Sequence, residues 1–139
     1  MWDKSKVLKF KKGKRSNDSQ LIEYVDPKNI KVNNYWEDEY DIQIITLDIL
    51  LKSYNFKKID FICITINGAE YEALLGCTLI IKKYNPNLYI AANHQDVRPM
   101  VNAIPYQEVI IEVLNGYKYD TYVDDKGWIV GEKNPNQKL

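Results

Sequence analysis

Apolar residues change their spacing in the middle of the chain, from every second position to every third and fourth. From Ile59 the order runs Ile-Asp-Phe-Ile-Cys-Ile-Thr-Ile. Alternation puts Phe61, Cys63 and Thr65 on one face and Ile62, Ile64 and Ile66 on the other. Both faces are largely apolar, which predicts a strand over 60–66 covered on both sides, as parallel strands usually are. Asn67-Gly68 then turns the chain into a helix predicted over 69–83. Ala73, Leu74, Cys77, Ile80 and Ile81 form its apolar stripe, Lys82-Lys83 end it and Pro86 stops it. A strand that feeds a helix so directly is half of a βαβ unit. Ligands of open α/β sheets bind outside the carboxyl ends of such strands. Asn67, Gly68 and Glu70 stand at that edge.

Elsewhere the pattern predicts shorter elements. Lys6 to Phe10 reads as a strand, Gly13 to Gln20 as a polar turn, and Leu21 to Val25 as a short strand closed by Asp26-Pro27. Asn33 to Asp41 is polar and acidic, with Asn33-Asn34 as a turn signal. Gln43 to Thr46 reads as a strand. Thr46 then caps a short helix over 47–54, with Asp48 in its first turn. Leu88 to Ala92 is a second parallel strand. Pro105 opens a helix that reaches Leu114, with Gly116 just past its end. Tyr119–Val123 and Trp128–Val130 flank Asp124-Asp125-Lys126-Gly127 as a terminal hairpin. The sum is one α/β domain over 1–131 with a right-handed crossover, followed by a polar tail over 132–139.

The stretch Cys63-Ile64-Thr65-Ile66-Asn67-Gly68-Ala69-Glu70, then Leu74-Leu75-Gly76-Cys77, resembles the core segment of the FkbM-type methyltransferases. Their usual run at this point is Lys-Ile-Asp-Ile-Glu-Gly-Ala-Glu, then Leu-Lys-Gly-Ala. The frame is kept, but Cys63, Thr65 and Asn67 stand where the family has lysine, aspartate and glutamate. Trp2 to Phe10, Ile44 to Leu51, Asn87 to His94 and Gly116 to Tyr119 are similar to further family elements in the same order.

The resemblance implies part of a Rossmann-like methyltransferase sheet, with parallel strands, flanking helices and a C-terminal antiparallel hairpin. It implies transfer of a methyl group from S-adenosylmethionine to an oxygen of a small-molecule acceptor, often a sugar or polyketide-type product. It runs over almost all of the chain but over only the second half of the family's domain. The first half would carry the Gly-rich cofactor loop and the acid that holds the ribose. None of the glycines here makes a G-x-G after a strand. A fragment of the domain is therefore expected, without full activity alone and with weak or no binding of S-adenosylmethionine. Such a half-sheet leaves an edge and apolar surface to cover. A second copy or a separately encoded N-terminal half is the expected partner.

Composition narrows the alternatives. With 45% hydrophobic and 27% charged residues, the chain of 139 residues has the make-up of a globular domain and not of a disordered one. The formal net charge is zero, so bulk charge favours no partner. No segment approaches the roughly 20 apolar residues of a membrane span. The N-terminal lysines have no apolar run behind them, unlike a secretory signal. Cys63 and Cys77 fall in predicted buried elements without metal-ligand spacing. They read as small apolar side chains in a reducing, cytoplasmic compartment.

Each candidate site residue has a structural reading beside its functional one. Asn67 and Glu70 have the spacing of a helix cap and the residue that reaches back to it, or they line the substrate crevice with Thr65 and Gly68. Thr65 offers a hydrogen bond but no charge. His94, the only histidine, lies just past the second parallel strand. It is either a solvated loop residue or the general base for a hydroxyl about to be methylated, with Glu70 as the second catalytic candidate. No partner at ligand spacing accompanies it, so no metal site is expected. Lys4, Lys6, Lys9, Lys11, Lys12, Lys14 and Arg15 cluster near the N-terminus. They suit nucleic-acid phosphates or a solvated edge hairpin, with Glu37, Asp38, Glu39 and Asp41 at hand to neutralise them. Two alternatives to the methyltransferase reading follow: a degenerate, non-catalytic partner-binding module, and a small nucleic-acid-binding protein.

Overall fold

The computed structural model describes residues 6–13, 20–21, 36–93 and 98–134. In chain order the elements are β1 (Lys6–Gly13), β2 (Gln20–Leu21), β3 (Trp36–Ile44), α1 (Leu47–Leu51), β4 (Phe61–Ile64), α2 (Glu70–Leu75) and α3 (Thr78–Tyr84). There follow β5 (Asn87–Ile90), β6 (Met100–Val101), β7 (Ile104–Pro105), α4 (Tyr106–Gly116), β8 (Asp120–Val123) and β9 (Ile129–Glu132). They form a mixed α/β fold on a four-stranded sheet of order β4-β5-β9-β8, beside a three-stranded sheet β2-β1-β3 and a two-stranded ribbon β6-β7. β4 and β5 are parallel, while β9 and β8 add an antiparallel hairpin. Parallel pairing is thus confined to one strand pair of the described residues.

The core lies on one face of this sheet. Ile64, Leu88, Ile90 and Ile129 point into it and meet Leu74, Cys77 and Ile81 of the α2–α3 segment and Ile110 and Leu114 of α4. The opposite face is different from the expectation for β4. Phe61 is 57% exposed and Cys63 is exposed, so the strand is covered on one side and not on both. Among the described residues the helices pack on the Ile64 face of the sheet, and none covers Phe61 and Cys63 on the other. Cys77, by contrast, is buried, and desolvation pushes its thiol up to about 12. In the native protein one thiol is expected to react rapidly with a thiol-specific reagent and the other only on unfolding. Two rapidly reacting thiols would contradict this placement.

The helix predicted over 69–83 is broken at Gly76-Cys77 into α2 and α3. Its apolar stripe is real, but the chain is drawn toward the start of α1 at the break. Asp48 N–H donates to Gly76 O at 3.0 Å. A Cβ on Gly76 would come within 3.2 Å of Thr46 Cβ. The start of α3 is capped from across the fold: Leu79 N–H and Ile80 N–H donate to the Asp48 carboxylate at 2.9 and 3.0 Å. Thr46 caps α1 as expected, its Oγ1 accepting from Ile49 N–H at 3.1 Å. Asp48 stands in the first turn of α1 as expected and also caps α3. Asp48→Ala is expected to cost about 1 kcal/mol, seen as a lower urea midpoint with an unchanged slope.

Two further expectations are corrected. The acidic run before Asp41 is strand from Trp36 onward, paired antiparallel along β1. Its acids find cross-strand lysines: Lys9 Nζ lies 3.1 Å from Glu39 and 3.3 Å from Asp41, and Lys11 Nζ lies 4.0 Å from Glu39. Opposite charges across a ladder make a polar run an acceptable strand. They also neutralise part of the basic cluster offered to nucleic acid. Pro105 ends β7 in an extended conformation as the residue before α4, and not inside its first turn. The expected strand over 21–25 is seen only at Gln20–Leu21, the rest lying outside the described residues. The terminal hairpin forms as predicted. Asp124 accepts from Lys126 N–H and Trp128 N–H, and Gly127 takes φ +77° in its turn.

Candidate functional site

At the carboxyl end of β4 the chain leaves the sheet through Thr65 and Ile66 and turns sharply at Asn67 and Gly68. Asn67 has φ 51° and Gly68 φ 98°, two successive left-handed residues. Asparagine tolerates that region and glycine enters it without a Cβ penalty. This backbone rules out the expected cap. The residue before α2 is Ala69, and no side chain caps the helix from there.

The turn is instead held by Glu70. Its side chain is fully buried. Ile66 N–H donates to Oε1 at 2.9 Å and Gly68 N–H to Oε2 at 2.9 Å. The Tyr106 hydroxyl, from the start of α4, donates to Oε2 at 2.7 Å. Burial and the neighbouring Glu70 charge both push the Tyr106 hydroxyl pKa well above its ordinary value, so it remains a donor. Reaching back to backbone N–H groups is the role anticipated for Glu70 in the capping reading, although the groups are those of the turn itself.

A second carboxylate lies one step along α2. Glu72 is 8% exposed and receives a two-pronged bond from Arg98, Nη1 to Oε2 at 2.6 Å and Nη2 to Oε1 at 2.7 Å. Arg98 Nη1 also donates to Gly68 O at 2.8 Å, and the guanidinium lies over the Tyr106 ring at 5.4 Å from its centroid. Arg98 therefore grips the same turn from its carbonyl side that Glu70 grips from its N–H side. Among the described residues every buried side-chain polar atom has a partner. No local signal marks Glu72, Arg98 or Tyr106. Arg98 stands 26 residues from Glu72, and Tyr106 stands 36 from Glu70.

Of the expected crevice residues, Thr65 is exposed, Asn67 half-buried and Gly68 buried. Thr65 borders a groove of about 450 Å³ lined mainly by apolar side chains, with β4, α1 and α2 on one side and Leu21, Ile44 and Ile45 on the other. His94 lies outside the described residues. Among the described residues no cluster of histidine, cysteine or carboxylate side chains could hold a metal ion.

A βα turn at the carboxyl end of a parallel strand is where open α/β sheets present ligands. The pattern of the Methyltransferase FkbM domain matches residues 4–122, and the chain belongs to this family of methyltransferases. No curated protein and no solved structure matches the chain. The family generally uses S-adenosylmethionine. The described residues at this strand end do not fit that cofactor. Both carboxylates there are already engaged, Glu70 by three donors and Glu72 by Arg98. Thr65 and Asn67 bring no charge for ribose hydroxyls, and no glycine-rich backbone cradle follows a strand.

Proposed function

We propose that the chain is the acceptor side of an S-adenosylmethionine-dependent O-methyltransferase domain of FkbM type, with a Rossmann-like sheet. By itself it holds the cofactor weakly or not at all and lacks full activity. The family match over 4–122 carries this reading. The exposed strand end at Thr65, beside a rigidly held turn, supports the acceptor role. In this reading Thr65, Asn67 and Gly68 border the acceptor oxygen, and His94 is the base that takes its proton. Glu70 positions the turn from within the fold. The protein works in the cytoplasm, a reading supported by its two free thiols. Among the described residues no helix is long and apolar enough to cross a membrane.

The test is the melting curve of the purified chain with S-adenosylmethionine in large excess. A ligand at 100 times its dissociation constant adds about 2.7 kcal/mol of stability. A cooperative transition that stays in place is expected. An upward shift of the size that 2.7 kcal/mol produces would contradict weak binding and show that a cofactor site is present.

A further inference from the structure

The groove beside Thr65 is walled on two sides by this chain. Leu21, Ile44 and Ile45 form one wall, and β4 with Ala73 of α2 stands in the other. Ile45, Leu50 and Ile66 border it at 45%, 43% and 43% exposure, large apolar side chains left to water. Among the described lining residues only Glu72 carries a charge, and Arg98 neutralises it through two hydrogen bonds.

One strip of the wall is polar. Every residue from Ile62 to Ile66 borders the groove, so it runs along the edge of β4 and not over one face. Asn87 N–H donates to Asp60 O at 2.8 Å, and Ala91 N–H to Ile64 O at 2.9 Å. Backbone groups alternate in direction along a paired strand. Those of Cys63 and Thr65 therefore point away from β5, toward the groove. The Thr65 side chain stands at the carboxyl end of the same strip.

These features select a ligand. An anion meets no cation among the described lining residues, and a cation meets a carboxylate that is already paired. A ligand with hydroxyls on every side, such as a free sugar, strands them against apolar walls. A neutral chain with one polar end keeps its hydrogen bonds and buries its apolar surface. Mostly apolar pockets of this size, with a few placed polar groups, are typical small-molecule sites.

We propose that the groove binds a linear aliphatic alcohol of about 10–15 non-hydrogen atoms, the number that about 450 Å³ holds at the density of a liquid. The alkyl chain lies between Ile45 and the Ile62–Ile64 edge, and the hydroxyl meets Thr65 at the strand end. That this alcohol is the methyl acceptor rests on the reading above. Its binding does not, and binding alone is measured.

The experiment titrates the full chain with decan-1-ol below its solubility limit. Calorimetry follows binding, and a thiol-specific reagent follows the reaction rate of Cys63. Decan-1-ol is expected to bind at one site per chain and to slow Cys63, which is exposed and lines the groove. Affinity is expected to rise about fourfold per CH₂ from hexan-1-ol to decan-1-ol. Decanoate should bind at least about tenfold more weakly, because its charge has no partner there. Glucose should not bind. Ala73→Phe fills the groove and should abolish binding. Leu50→Lys puts a charge at a half-exposed position on its rim and should weaken binding about tenfold. Leu79→Lys, on α3 at a position that is 55% exposed and outside the groove, should leave binding unchanged. Circular dichroism confirms that each variant is folded. No binding of decan-1-ol, binding that survives both Ala73→Phe and Leu50→Lys, or decanoate as tight as decan-1-ol would each overturn the proposal. So would a two-copy mass by light scattering in which Cys63 is masked and decan-1-ol changes nothing, since a second copy then fills the groove.

Discussion

Glu70→Ala is expected to remove about 3–5 kcal/mol of stability. The magnitude follows from what the substitution leaves behind. Ile66 N–H, Gly68 N–H and the Tyr106 hydroxyl all lose their acceptor at a fully buried position. A buried donor left without a partner costs about 1–3 kcal/mol, and relaxation of the turn relieves part of the sum. Glu70→Gln should be nearly as damaging, because its amide offers an NH₂ group to donors where a second acceptor oxygen stood. Domains of this size are commonly stable by only about 5–15 kcal/mol, so either variant should show a large drop in the urea midpoint. A loss below about 1 kcal/mol would mean that the turn holds without its carboxylate.

Arg98→Ala is the second large effect, about 3–5 kcal/mol, because it strands the Glu72 carboxylate in a buried site. Arg98→Lys should recover only part of this, since an ammonium cannot reproduce the two-pronged geometry and also reach Gly68 O. Replacing Arg98 and Glu72 together by methionine and leucine should cost much less than either single change, as no unpaired charge then remains. Glu70 and Arg98 share the Asn67–Gly68 turn. A double-mutant cycle between them should therefore depart from additivity by more than about 0.5 kcal/mol. Urea unfolding of the single and double variants measures all of these terms.

Much of the fold was legible from local spacing. The period-two run into β4, the Thr46 cap, the α4 helix between Pro105 and Gly116 and the hairpin around Gly127 are each set by residues within one element or turn. The FkbM likeness was legible for the same reason, since its frame is a contiguous strand–turn–helix. What escaped depends on partners far along the chain. The acidic run up to Asp41 is a strand because lysines of β1 face it. The helix over 69–83 breaks where Thr46 and Asp48 of another element meet Gly76. Cys63 is exposed because the described helices pack on the other face of β4, a matter of tertiary packing and not of its own apolar neighbours. The β6–β7 ribbon turns through Asn102 and Ala103, both at positive φ, where the usual glycine signal is missing. The Glu72–Arg98 pair, the largest electrostatic feature of the site, has no sequence signature at all.

The turn after β4 is clamped by Glu70 from one side and Arg98 from the other. Amide hydrogen exchange at Gly68 tests it most directly, because that N–H is the buried donor to Glu70. Protection as strong as that of core amides in β5 is expected, with its loss in Arg98→Ala under conditions where β5 stays protected. Exchange of the Gly68 amide in the unmodified protein at the rate of an exposed loop would contradict it.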